Sequence, residues 1–299
     1  MKKSFYSNGK LLLTGEYVVL DGATALAIPT KKGQTLTVSA TEVEGIKWRS
    51  IDATGNRWFE AHIDLNKPTS KSNNPVEHTL KTILKQAKQL NSDFLTDAVG
   101  YQVETTLSFP RDWGLGSSST LINNIAQWAK VDAFALLQQS FGGSGYDIAA
   151  AKHDKAIFYQ IKDSTPTTQE VTLPWDFTNQ LFFVHRNKKQ DSKEGISKYK
   201  EARPSQKEIE QISDLTRKML LCYSINDFEQ LLMAHERIIS SIIGLPTVKD
   251  LLFPDFSGTV KSLGAWGGDF VLATGPIDTM EYFREKGYTT IIPFTEMSL

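Results

Sequence analysis

Over the first sixty residues, apolar side chains come in short runs broken by glycine and polar turns, the rhythm of strands rather than helices. Residues 10–14 form one such run, Gly15-Glu16 interrupts it, and residues 17–20 resume it before the turn signal Asp21-Gly22. Residues 25–28 and 35–40 continue the β character. Trp48 and Trp58 fall in two weaker strands with Gly55 between them. The period then changes. Val76, Leu80, Ile83, Leu84, Ala87 and Leu90 share one face of a helix predicted over 75–91, with Asn74 as its cap and Pro75 at its first position.

The spacing next predicts a strand over 99–109, a turn through Pro110-Arg111-Asp112-Trp113-Gly114-Leu115-Gly116, and a helix over 117–130. A short helix at 132–140 ends at Gly142-Gly143-Ser144-Gly145, and another starts near Asp147. Proline and threonine crowd 164–174, expected to join two domains. A strand at 181–184 leads into a basic, polar loop over 185–192. Ser205 with Glu208 forms a capping box ahead of a helix carrying Ile209, Ile212, Leu215 and Met219. A second helix is expected from Asn226, with Glu229 three residues on, to Gly244. Strands at 259–263 and 270–274 flank Gly264, Gly267 and Gly268; a helix at 278–286 and a strand at 289–294 close the chain. Helices and strands mix without strict βαβ alternation, which predicts an α+β protein of two domains, 1–174 and 175–299.

Composition narrows the function classes. The 299 residues hold 33 Lys+Arg against 34 Asp+Glu, a net charge of −1, so no general field draws the chain to nucleic acid or an anionic membrane. Aromatics at 10% exclude disorder as the main state. The single cysteine, Cys222, rules out an intramolecular disulfide and a cysteine metal cluster; its neighbours Leu220, Leu221 and Tyr223 mark it as a small buried hydrophobe. No run reaches the roughly 18 apolar residues of a membrane span, and no segment resembles a signal peptide, so a cytoplasmic protein is expected.

The richest chemistry lies at 110–120. Gly114 and Gly116 let the backbone pass close to a ligand, and the amides and positive end of the following helix favour an anion such as phosphate. Ser117, Ser118, Ser119 and Thr120 can cap the helix or reach a phosphate-bound metal; the segment reads equally as a tight strand-to-helix turn. It is not a Walker loop, and the chain holds no Gly-x-Gly-x-x-Gly fingerprint. Asp147, after the glycine cluster 142–145, serves either as a helix cap or as a general base. Lys10 and Glu16 stand in otherwise apolar strands, where such groups usually face solvent at an edge. Arg186, Asn187, Lys188, Lys189, Gln190, Ser192 and Lys193 form a cluster fit either to hold an anion or simply to be solvated. His62, His78, His153, His185 and His235 show no metal-ligand spacing and are assigned no site.

Taken in order, these segments resemble the GHMP kinases over nearly the full length. The first motif of that family appears as Gly9-Lys10-Leu11-Leu12-Leu13-Thr14-Gly15-Glu16-Tyr17-Val18-Val19-Leu20, and the phosphate loop as Pro110 followed by Gly114-Leu115-Gly116-Ser117-Ser118. Ser144-Gly145-Tyr146-Asp147 matches the segment of the catalytic aspartate. Lys261 with Gly264-Ala265-Trp266-Gly267-Gly268-Asp269 matches the third motif. The first motif and residues 144–151 look most like the mevalonate and phosphomevalonate kinase branch.

The resemblance implies a two-domain fold, the first domain like ribosomal protein S5 domain 2 and the second ferredoxin-like. It also implies transfer of the ATP γ-phosphoryl group, with Mg²⁺, to a small alcohol or phosphomonoester of isoprenoid synthesis. A sugar or homoserine kinase, or a silent nucleotide-binding relative, are the alternatives. In this reading Asp147 accepts the proton and Lys10 pairs with it. Pro110, Gly114, Leu115, Gly116, Ser117, Ser118 and Ser119 hold the nucleotide, with Ser118 also at the metal. Glu16, Ser144, Gly145, Lys188, Ser192, Gly264, Ala265, Gly267 and Gly268 line the acceptor side. No nucleic acid or membrane partner is implied, and the protein is expected as a monomer or homodimer. Trp266 departs from the family glycine at its position, and no residue matches the glutamate that often binds magnesium; Gln138 and Gln139 are the nearest polar side chains.

Overall fold

The computed structural model describes residues 2–66, 74–188, 199–264, 266 and 268–299. The chain divides into two compact units, each assembled from several stretches: 1–9, 32–111 and 115–152 in the first, and 10–31, 112–114 and 153–299 in the second. Residue 174, where the sequence places a boundary, lies inside the second unit. Two long strands, β1 (Lys2–Thr14) and β2 (Ala25–Thr41), pair with each other and contribute to both. The two short runs expected at 25–28 and 35–40 are therefore one strand. Between them Gly33 stays extended because β1 lies close: a Cβ there would sit 2.3 Å from the Ser7 carbonyl oxygen.

In the first unit, β3 (Gly45–Ile51), β4 (Arg57–Ile63) and β5 (Gly100–Leu107) join residues 34–41 of β2 in the order β4-β3-β5-β2. The β3–β5 pair is parallel and the others antiparallel. Among its described residues this unit has the α-helices α1 (Pro75–Leu90), α2 (Ser117–Ala129), α3 (Ala133–Ser140) and α4 (Tyr146–Lys152). Asn74 caps α1, its side chain accepting from the Val76 amide at 3.0 Å, as its sequence predicts. Leu36, Val38 and Trp48 from the strands meet Ile83 and Leu84 of α1 and Ile122 and Ile125 of α2 in one buried core, whose burial is the main force holding the layers together.

In the second unit, residues 25–27 of β2 pair with β6 (Ile157–Lys162), which pairs with β7 (Thr165–Glu170). The Thr- and Pro-rich segment expected to connect domains is thus the edge strand of a hairpin. Asp163 and Ser164 take positive φ at its turn, and every residue of β7 is exposed. An edge position tolerates Pro166 and a polar sequence because no packed face constrains it. A second sheet runs β11-β8-β10-β9, antiparallel throughout, from β8 (Leu181–His185), β9 (Val260–Ser262), β10 (Phe270–Thr274) and β11 (Ile291–Pro293).

Helices α5 (Gln206–Met219), α6 (Ile225–Ile243), α7 (Val248–Leu252), α8 (Glu281–Glu285) and α9 (Phe294–Met297) also belong to this unit. The capping box of α5 forms as predicted. Helix α6 starts earlier than expected, because Ser224, not Asn226, accepts from the Asp227 amide. The apolar run at 17–20 is not a strand. Tyr17 takes φ +63° and Val18–Asp21 form a 3-10 turn whose side chains enter a core with Tyr199, Ile209, Ile212, Ile239 and Trp266. Burial there comes from the helices α5 and α6, so no period-2 strand is required. Cys222 is buried, as expected, and burial raises its thiol pKa.

Candidate functional site

The glycine loop is held down residue by residue within the second unit. Lys10 of β1 donates from Nζ to the Gly114 carbonyl at 2.8 Å. His185, at the end of β8, accepts the Asn187 amide on Nδ1 at 3.3 Å and so presents Nε2–H to the Asp112 carbonyl, also at 3.3 Å. Between these, the Trp113 ring stands edge-on to Phe270, with centroids 5.4 Å apart. Gly114 has φ +64°, and a Cβ on it would lie 1.7 Å from Asp269 Oδ2, so only glycine fits this approach.

The chain then passes through buried Leu115 to Gly116, whose φ of +88° turns it directly into α2. No side chain caps this helix. Ser119 is buried and donates to the Gly116 carbonyl at 2.8 Å, whereas Ser117 is half-buried and Ser118 exposed. The first-turn amides, at the positive end of a 13-residue helix, thus lack a side-chain cap bond and stand beside the Ser117 and Ser118 hydroxyls.

Helix α2 owes its placement to a buried polar network in the first unit that sequence reasoning did not find. Asn124 accepts from Ser7 Oγ at 2.8 Å and donates to the Gln34 carbonyl at 2.9 Å; Asn123 donates to Ser7 Oγ at 2.9 Å. Asn123 also reaches the Ala151 carbonyl of α4 at 3.4 Å, linking α2 to the helix that carries Asp147. Asp147 is half-buried in the first turn of α4, and its Oδ1 accepts the Ile148 amide at 3.0 Å. Ser144 is half-buried and Gly145 buried just ahead of it.

Glu16 does not face solvent. It is 1% exposed, inside the second unit, with Lys261 Nζ 2.6 Å from its Oε1. Lys261 also donates to the Ser262 carbonyl at 2.8 Å and approaches Glu236 Oε1 at 3.5 Å. Glu236 accepts on Oε2 from the Ser262 amide and hydroxyl at 3.1 and 2.8 Å. Its neighbour His235 accepts the Gly15 amide on Nε2 at 3.0 Å, and Glu16 Oε2 lies 3.3 Å from the same nitrogen. Burial pushes the Glu16 carboxyl up to about 7 against the opposing pull of Lys261; burial raises Glu236 as well. Burial first, then Lys261, lowers His235 well below the usual imidazole range. His235 and Glu236 carry no motif spacing. Their only sequence trace is two polar residues on the apolar face of α6, in register with Phe228, Leu232 and Ile239.

Gly264 has φ +65° with open space where a Cβ would project, and Gly268 is buried. Trp266, the departure from the third motif, turns its ring into the core beside Tyr17 and Tyr199 and donates from Nε1 to the Pro246 carbonyl at 3.1 Å. Lys188 is exposed; Ser192, Ala265 and Gly267 lie outside the described residues. Gln138 and Gln139 are exposed on α3, and Gln138 donates to the Gly143 carbonyl at 3.0 Å. Among the described residues no group of three His, Cys, Asp or Glu side chains is placed to hold a metal. A Mg²⁺ carried on nucleotide phosphates needs only one or two protein oxygens, and exposed Ser118 fits that lesser demand. No helix among the described residues is long and apolar enough to cross a membrane.

The whole chain has close structural counterparts. The Streptococcus pneumoniae phosphomevalonate kinase in complex with phosphomevalonate and AMPPNP superposes with TM-score 0.72 at 15% identity, covering 95% of each chain. The Methanococcus jannaschii mevalonate kinase gives 0.70 at 15%, covering 98% of this chain and 96% of that one. The Lactococcus lactis galactokinase complexed with galactose gives 0.64 at 15%, with 95% and 88% covered. This chain has the fold of the GHMP kinases, as the sequence resemblance implies. No protein-family model matches the sequence, and neither does any curated protein.

Proposed function

We propose that the chain is an ATP-dependent small-molecule kinase of the GHMP type, passing the γ-phosphoryl group to mevalonate or 5-phosphomevalonate. The observation that carries this reading is the loop 110–116 opening into α2 at a glycine N-cap with no side-chain cap hydrogen bond. Fixed N–H groups at a helix start are suited to phosphate oxygens, and positioning with charge stabilisation supplies most of the catalysis in phosphoryl transfer. The amides of residues 114–119 cradle the phosphates, and Ser117 adds a hydroxyl. A bound Mg²⁺ supplies neutralisation of phosphate charge, with Ser118 the residue to hold it.

Asp147 takes the proton of the acceptor hydroxyl, or orients that oxygen for attack. Its Oδ1 accepts the Ile148 amide, which fixes the carboxylate at the start of α4. Lys10 fixes the Gly114 carbonyl and places positive charge at the loop. Ser144, Gly145, Lys188, Ser192, Gly264, Ala265, Gly267 and Gly268 make up the acceptor side. Glu16, expected on that side, is instead enclosed with Lys261 and does not reach an acceptor directly. The fold shared with a phosphomevalonate kinase and a mevalonate kinase supports the choice of acceptor. The test is ADP release with mevalonate, phosphomevalonate, galactose and homoserine in parallel. Turnover is expected with one of the first two. Silence with all four despite nucleotide binding would overturn the kinase reading, and turnover with galactose or homoserine alone would reassign the acceptor.

A further inference from the structure

The fully enclosed group of Glu16, Lys261, His235 and Glu236 holds two carboxylates and one ammonium. A net negative charge of that kind, buried from water, carries a penalty of several kcal/mol unless a proton neutralises it. The hydrogen bonds show where the proton sits. Glu236 is surrounded by donors: the Ser262 amide and hydroxyl on Oε2 and Lys261 toward Oε1, the surroundings of an ionised carboxylate. Glu16 is different: among the described residues Lys261 is the one side chain that donates to it, on Oε1, its own backbone amide adds the smallest contribution, and its buried Oε2 has no hydrogen-bond partner there.

That Oε2 faces His235 Nε2 at 3.3 Å. Because the Gly15 amide already donates to Nε2, this nitrogen is an acceptor and the ring carries its hydrogen on Nδ1, which is itself buried and has no hydrogen-bond partner among the described residues. Two lone pairs would otherwise oppose each other across that gap. A hydrogen on Oε2 resolves the conflict. The titratable groups facing Glu16 are Lys261 on β9 and His235 and Glu236 on α6, and among the described residues these complete the set.

We infer that Glu16 is kept as the neutral acid with its proton on Oε2 directed at His235 Nε2, and that His235 and Glu236 act as positioning residues, joining the end of β1 at Gly15 to β9 at Ser262 through this one buried proton. The two strands so joined carry Lys10 and Lys261. The inference stands on the hydrogen-bond geometry and is independent of which acceptor the enzyme uses.

Glu16→Gln tests it, since an amide reproduces both the acceptor facing Lys261 and the donor facing His235. Glu236→Gln is the contrast, since it puts an amide among three donors. Denaturant unfolding of the wild type and both variants is measured from pH 5 to 9. Glu16→Gln is expected to fold and Glu236→Gln to be the more destabilised. The Glu16 carboxyl sits near 7 in the fold against 4.5 for a free glutamate, so its stabilisation is complete below about 4.5 and lost as pH rises through 7. Relative to Glu16→Gln, the wild-type folding equilibrium constant should therefore fall by up to about 80-fold between pH 5 and 9, nearly all of it below pH 8. The slope due to His235 is common to both proteins and cancels. Infrared spectra of the wild type should show a protonated-carboxyl carbonyl band at pH 6 that is gone at pH 9. Absence of that band at pH 6, parallel pH profiles for wild type and Glu16→Gln, or a Glu16→Gln protein less stable than Glu236→Gln would each overturn the assignment.

Discussion

Lys10 and Gly114, 104 residues apart in sequence, are joined by a 2.8 Å bond from the lysine ammonium to the glycine carbonyl. The lysine of the first glycine-rich segment thereby fixes the backbone of the second, two residues before the glycine that caps α2. A hydrogen bond involving a charged group contributes about 1.5–3 kcal/mol, so this contact has weight in setting the loop's conformation. Lys10→Met should accordingly weaken ATP binding by about tenfold or more and lower the melting temperature by no more than a few degrees, the side chain being only part-buried. Isothermal titration with a non-hydrolysable ATP analogue, alongside a thermal melt, measures both. Unaltered affinity would show that the loop keeps its shape without the lysine.

Asp147→Asn removes a charge while retaining the oxygen that accepts the Ile148 amide. The start of α4 should survive intact, and kcat should fall by about 10²–10⁴-fold, the usual contribution of a positioned base. Steady-state kinetics and circular dichroism on the same preparation separate the two effects. A variant with wild-type kcat would remove Asp147 from the mechanism.

Gly116 holds φ +88° where the loop meets α2. A β-branched residue is strained there by about 1–3 kcal/mol, and its methyl groups would project into the space given to phosphate. Gly116→Val should raise the dissociation constant for ATP by at least about tenfold. Nucleotide titration tests it, and an unchanged constant would move the phosphate site elsewhere.

Lys261→Met strips the only ammonium from the group that encloses Glu16 and Glu236. Removing one partner from a buried ion pair typically destabilises by about 3–5 kcal/mol, because a charge is left uncompensated. The melting temperature should fall by several degrees and partly recover in Lys261→Met combined with Glu236→Gln. Differential scanning calorimetry on the pair checks both points.

Much of this protein is legible along the chain. The helices capped by Asn74 and Ser205 were readable because local hydrogen bonds and a 3.6-residue apolar period act within a few positions. The loop 110–116 was readable too, since glycine is required wherever a backbone must turn with positive φ or lie against another chain segment. Reading failed where long-range packing overrode local preference. Residues 17–20 look like a strand and form a 3-10 turn, because α5 and α6 supply the apolar cover that a neighbouring strand would have given. The Thr- and Pro-rich segment near 165 looks like a connection and is an edge strand, because an edge asks little of its sequence.

Local chemistry thus assigned the glycine turns and the helix caps, for each of these follows from backbone sterics and hydrogen bonding over short distances. The buried association of Glu16 with Lys261, His235 and Glu236 was decided in three dimensions alone. Glu16 looks like a surface carboxylate in its own segment, and nothing near His235 in sequence announces a partner. Their protonation and their role depend on the loss of water and on charges brought from more than two hundred residues away, which no local pattern encodes.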